Sequence, residues 1–144
     1  MRKALIVGID DYPEAPLSGC VNDAKKVCDV LSKNQDGSPN FDCRAFLAPK
    51  GNITRHVLRE NVKNLFAHEA EVSLFYFSGH GTVNNLGGYL VTQDYEVDDE
   101  GVSMHDIITF ANDSKTREVI LILDPKQVSS LRLPRSGADD FTGT

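Results

Sequence analysis

The chain has 144 residues, 40% of them hydrophobic, and a formal net charge of −6. That length fits one domain able to bury a core. The acidic balance argues against nucleic acid and anionic membrane as main partners, because both need a basic surface. No apolar run approaches the ~20 residues that span a bilayer.

Met1-Arg2-Lys3 followed by apolar residues raises the idea of a signal peptide. The run is short and ends in Asp10-Asp11 without a small-residue cleavage site, so it reads as the first strand of a cytoplasmic protein. Residues 4–9 (ALIVGI) have the β-branched, apolar character of a buried parallel strand. Residues 12–19 carry two prolines and a glycine and read as a loop. From Val21, the positions Val21, Ala24, Val27, Cys28 and Leu31 have helical spacing.

Gly37 and Pro39 mark a turn, and residues 41–47 alternate as a strand does. Thr54 is a good N-cap for a second amphipathic helix with Val57, Leu58, Val62, Leu65 and Phe66. Residues 72–77 (VSLFYF) are the most strand-like run, expected to end abruptly in Ser78-Gly79-His80-Gly81. A loop with Gly87-Gly88, a short strand over 89–92 and a helix opened by Ser103 and Asp106 follow. Residues 118–123 (EVILIL) form a last buried strand, closed by Asp124-Pro125.

This alternation predicts an α/β fold, a three-layer sandwich around a mainly parallel sheet. Function in such sheets sits beyond the carboxyl ends of the strands, here Asp10-Asp11, Ser78 to Gly81, and Asp124. Residues 125–144 have no sustained period and read as a disordered tail.

His80 is the main chemical candidate. Flanking glycines permit unusual dihedrals, and a neutral imidazole there can act as general acid or base; the alternative is a turn histidine with no role. Asp124 can orient a histidine, bind a metal, recognise a cation, or simply start a turn before Pro125. Asp23 lies where a helix begins, where an acid is also stabilising in itself. Cys20 is the only cysteine near this crevice; Cys28 and Cys43 fall on apolar faces. His56, His68 and His105 have no paired metal-ligand spacing and read as surface residues. No CxxC pair indicates zinc or a disulfide framework.

Five ordered stretches resemble the caspase and metacaspase family of cysteine peptidases, in its bacterial or metacaspase-like branch. They are residues 4–12 (ALIVGIDDY), 17–24 (LSGCVNDA), 75–82 (FYFSGHGT), 88–91 (GYLV) and 119–124 (VILILD). The resemblance spans about residues 3 to 124 and implies the amino-terminal part of a caspase-like catalytic domain over 1–124, a partial domain. It implies peptide-bond hydrolysis by a Cys–His dyad, with His80 as the histidine and the Gly81 N–H helping to hold the oxyanion.

The family's cysteine, two residues after the strand-ending Asp, falls on Lys126, and the Asp-x-Cys-His-Ser-Gly run is replaced by Asp124-Pro125-Lys126-Gln127-Val128-Ser129. A lysine does not substitute for the attacking thiolate, so the chain is expected to be inactive. The change of character after Asp124 reads as a truncation, a frame shift or an inactive variant.

In metacaspase-like members an acidic pocket takes the Arg or Lys before the scissile bond. Its residues match Cys20, Asp23, Ser78 and Asp124, so the expected partner is a peptide or protein substrate carrying Arg or Lys. No cofactor is indicated. Calcium serves some members, but Asp94, Asp98, Asp99 and Glu100 show no specific match and read as a solvated charge run. Two rival readings remain: a non-catalytic module binding basic peptides through Asp23 and Asp124, and a phosphoacceptor signalling domain using Asp10-Asp11. The second lacks an aspartate at the end of the third main strand.

Overall fold

A computed structural model of the chain describes residues 1–49, 51–96 and 99–127. Its elements in order are β1 (Arg2–Ile9), α1 (Cys20–Ser32), β2 (Asp42–Ala48), α2 (Arg55–Ala67), β3 (Val72–Asn84), β4 (Gly87–Glu96), β5 (Asp99–Ser103), α3 (Met104–Asn112) and β6 (Glu118–Gln127). β1 lies parallel between β2 and β3, and β6 adds in parallel to β3. β4 and β5 extend the sheet as antiparallel strands from the outer end of β3. Gly81 pairs at once with Leu90 of β4 and Gln127 of β6, so these strands flank it on opposite edges.

The strand period of two sorts the apolar side chains onto two faces. Leu5, Val7, Ile9, Phe75 and Phe77 join Leu58, Val62 and Phe66 of α2 and Ile107 of α3 in the larger core. Ala4, Ile6, Leu74 and Tyr76 face α1, meeting Ala24, Val27, Cys28 and Leu31. The α/β sandwich expected from the sequence is therefore present, with a helix layer on each side of a mainly parallel sheet. Thr54 caps α2 by accepting the Val57 N–H at 3.2 Å, and Ser103 caps α3 through Asp106 N–H at 3.0 Å, as their sequence positions predict.

Three expectations need correction. β3 does not stop at Ser78; it runs on through the Gly-His-Gly segment to Asn84, because β4 and β6 supply ladder partners there. The short strand of 89–92 is the middle of a ten-residue β4, with β5 beside it. β6 likewise passes Asp124 and Pro125 to reach Gln127. The Glu118 N–H donates to the Glu71 carbonyl. Strand alternation then turns the backbone of Pro125 to the edge away from β3, where a missing N–H breaks no bond to it. The rest of the expected tail, residues 128–144, lies outside the described residues.

Candidate functional site

The site begins with the way α1 meets β1. A Cβ on Gly8 would lie 2.7 Å from the Cys20 carbonyl oxygen and 2.8 Å from Ala24 Cβ, so glycine lets the helix start press onto the sheet. Gly19 gives α1 no side-chain cap. Asp10 supplies it from the end of β1: its carboxylate accepts the Cys20 N–H at 2.8 Å and the Val21 N–H at 3.3 Å. A carboxylate on the first N–H groups of a helix satisfies orphan donors and the helix dipole together. Asp10 therefore has a structural task, which weighs against the phosphoacceptor reading. Asp11 meets Gln93, whose amide donates to its carbonyl at 2.9 Å.

Gly8, Ser78 and Asp124 are register partners across β1, β3 and β6 and lie on the face toward α1. The first turn of α1, which also carries Asp23, brings Cys20 over this row. The Ser78 hydroxyl is fully buried and has no hydrogen-bond partner of ordinary geometry. It stands beside the Cys20 thiol and the Tyr76 hydroxyl, and favours deprotonation of both. Burial nonetheless pushes the Cys20 thiol above the ordinary cysteine value, with Asp10 and Asp23 adding to the rise. Cys20 is thus a protonated thiol at neutral pH. Tyr76 is raised as well, by burial first and then by Asp124, Asp23 and Cys20. Ser78 and Asp23 thus act on Cys20, and Asp124 stands in register beside Ser78.

Lys126 enters the same end. Two residues beyond Asp124 on one strand, it shares that face. Its ammonium donates to Asp124 Oδ2 at 3.0 Å. This bond raises the Lys126 pKa above the ordinary lysine value, with Asp124, Cys20 and Asp23 contributing through space.

His80 is the register partner of Lys126. Its backbone N–H donates to the Tyr12 hydroxyl at 3.0 Å, and that hydroxyl donates to the Val91 carbonyl at 2.9 Å. The Tyr12 and His80 rings lie 4.5 Å apart. Nε2 is 2.5 Å from the Ala15 carbonyl oxygen and Nδ1 is 3.4 Å from that of Lys126. A carbonyl only accepts, so the closer contact places a proton on Nε2. His80 is 5% exposed. The open crevice expected for it is covered by the 12–17 loop.

The glycines beside His80 serve a different purpose from the one inferred. Neither has positive φ. A Cβ on Gly79 would come within 2.5 Å of the Tyr12 hydroxyl, and one on Gly81 within 2.5 Å of Pro125 Cβ. Both are required for space. Gly81 has β4 on one edge and β6 on the other.

The acidic run is partly solvated where it is described: Asp99 is exposed, but the run also has partners. Arg55 pairs with Asp94 and Asp99, and Glu100 is 6% exposed and accepts from Asn84. Asp98 lies outside the described residues. Among the described residues no cluster of three or more His, Cys, Asp or Glu is placed to hold a metal. His56, His68 and His105 are exposed, as expected. A cavity of about 380 Å³ lined by Lys3, Asp42, Arg44, Asn61 and His68 lies between β1, β2 and α2, away from His80. No helix among the described residues is long and apolar enough to cross a membrane.

Sequence reasoning missed Tyr12, Asp10 as a cap, and Ala15. The signal for Tyr12 was a large aromatic in a Pro-rich loop; a backbone carbonyl such as that of Ala15 leaves no signal.

The caspase domain family, Peptidase_C14, matches residues 1–128. No curated protein matches the chain. Among solved structures, protein GSU0716 from Geobacter sulfurreducens is similar in fold, with a TM-score of 0.64 at 15% identity. The match covers 86% of this chain and 50% of that one, so the chain spans half the length of that protein. With the family matched over residues 1–128 and the mainly parallel sheet in place, the chain belongs to the caspase domain family of cysteine peptidases.

Proposed function

We propose that this chain carries the histidine and the basic-residue pocket of an Arg/Lys-directed caspase-like peptidase, and that without a nucleophile it binds basic peptides and does not cut them. The observation that supports this most is the register row Gly8–Ser78–Asp124 under the start of α1, with Cys20 against Gly8 and beside Ser78, and Asp23 in the same helical turn. Two carboxylates at a partly closed site suit a guanidinium or ammonium through charge-assisted hydrogen bonds. The family's reaction needs a thiolate whose proton His80 would take, then return to the leaving amine.

Lys126 stands at the thiolate's position. Its pKa is raised by the bond to Asp124, so it is an ammonium without a lone pair for attack. Cys20 is protonated and belongs to the pocket. The Ala15 carbonyl also has to leave His80 Nε2 before that nitrogen can exchange a proton with substrate.

The test is reconstruction. The chain is assayed with fluorogenic Arg and Lys peptides as it stands, then with residues 125–130 replaced by a Cys-Cys-His-Ser-Gly-type run continued into a family-like second half. The expected result is no turnover by the first and Arg- or Lys-directed cleavage by the second, lost in His80→Ala. Loss of a dyad member costs several orders of magnitude, roughly 10⁴-fold or more. Turnover by the unmodified chain that survives Cys20→Ala would overturn the assignment.

A further inference from the structure

The residue at the nucleophile position bears on the pocket as well as on the chemistry. Lys126 and Asp124 project from the same face of β6, and the ammonium turns back onto the Asp124 carboxylate at 3.0 Å. On that face stand Ser78, in register with Asp124, and Cys20 against Gly8, with Asp23 in the same first turn of α1. From the reading of this site as a basic-residue pocket, on which the inference rests, we infer that Lys126 is the pocket's resident cation, a tethered side chain occupying the place of a substrate's Arg or Lys.

The geometry and the electrostatics agree. This lysine does not point free into solvent: its ammonium donates to Asp124 at 3.0 Å, and that bond, with Asp23 adding to it, raises its pKa above the ordinary lysine value. In return its charge lowers the Cys20 thiol pKa. A tethered group competes at an effective concentration that a free ligand reaches only in the millimolar range. The pair is half-exposed, 42% for the Lys126 side chain and 48% for Asp124. Such a pair is weak, so a guanidinium able to reach both Asp23 and Asp124 displaces it at modest cost. The pocket is therefore closed to weak monovalent cations and open to better ones.

The probe is agmatine, titrated by NMR into the full chain, into Lys126→Met and into Lys126→Arg. Lys126→Met is expected to bind agmatine roughly three- to tenfold more tightly than the unmodified chain, the range set by a weak surface ion pair plus relief of like-charge repulsion. Lys126→Arg, which keeps a cation in place, is expected to bind as weakly as the unmodified chain. Adding Asp23→Asn to Lys126→Met is expected to abolish the gain. Equal affinity in the unmodified chain and Lys126→Met, lost in Asp23→Asn, leaves the pocket standing and overturns the resident cation. Binding by none of the variants overturns the pocket and the inference with it. A second readout needs no ligand: Asp23→Asn is expected to lower the pH at which the Lys126 ammonium titrates, and an unchanged midpoint counts against contact with the pocket.

Discussion

β1 and β6 flank β3 in the same way, in parallel and residue for residue, yet they live in different surroundings. β1 is buried on both faces from Ala4 to Ile9, between β2 and β3 and between two helix layers. β6 has the same apolar character, but only Val119, Leu121 and Leu123 pack against a core. Ile120 and Ile122, facing the α1 side, are 39% and 42% exposed. The composition of β6 is that of a strand covered on both faces, and among the described residues one face is covered. The site inherits the asymmetry: His80 is fixed by Tyr12 and the core, whereas Asp124 and Lys126 sit on the less enclosed strand.

The largest expected effect sets the two flanks of β3 against each other. Val7, Phe77 and Leu123 are register partners in one row. Phe77 is wholly buried, so Phe77→Ala should cost about 3–5 kcal/mol. Leu123 is half-buried, and Leu123→Ala should cost about 1–2 kcal/mol, since less area leaves water-free surroundings. Denaturant unfolding of both variants measures the difference. Equal losses would mean that β6 is as deeply embedded as β3.

Next in size is the anchoring of His80. Tyr12→Phe removes the hydroxyl that accepts the His80 N–H and donates to the Val91 carbonyl. Burial holds that hydroxyl far above the ordinary tyrosine pKa, so it stays a donor throughout the usual range. Leaving two buried groups without a partner should cost about 1–3 kcal/mol. The His80 amide should also exchange with solvent faster. Unchanged stability and exchange would show that β4 and β6 alone hold this end of β3.

Much of this was legible in the sequence, for identifiable reasons. The apolar runs of β1, β3 and β6 and the caps Thr54 and Ser103 are local signals, and each appears where the spacing put it. The end of β3 was misread because glycines look like a break. Here they are kept small by Tyr12 and Pro125, which are distant in sequence. Asp10 as a cap for α1 depends on the same long-range approach, through Gly8. The ion pairs of Asp94 and Asp99 with Arg55 join positions about forty residues apart, which no periodicity reports. The proposed pocket residues came from resemblance to a family, and the placement of Asp124 beside Ser78 needed the sheet register.

The smallest expected effect is the sharpest test of β6. Ile122→Thr keeps a β-branched side chain suited to a strand and replaces an ethyl group with a hydroxyl at a residue that is 42% exposed. Its cost should stay within about 0.5 kcal/mol. Leu121→Thr, one residue away, turns a hydroxyl toward the core of Phe75 and Phe66 and should cost several times more. The ratio of the two matters more than either value, because both substitutions share strand position and backbone. A ratio near one in dilute solution would mean that the α1-side face of β6 is covered after all. A ratio that is large when dilute and falls with protein concentration would mean that a second molecule covers it. A ratio large at every concentration keeps β6 as a strand apolar on both faces and packed on one.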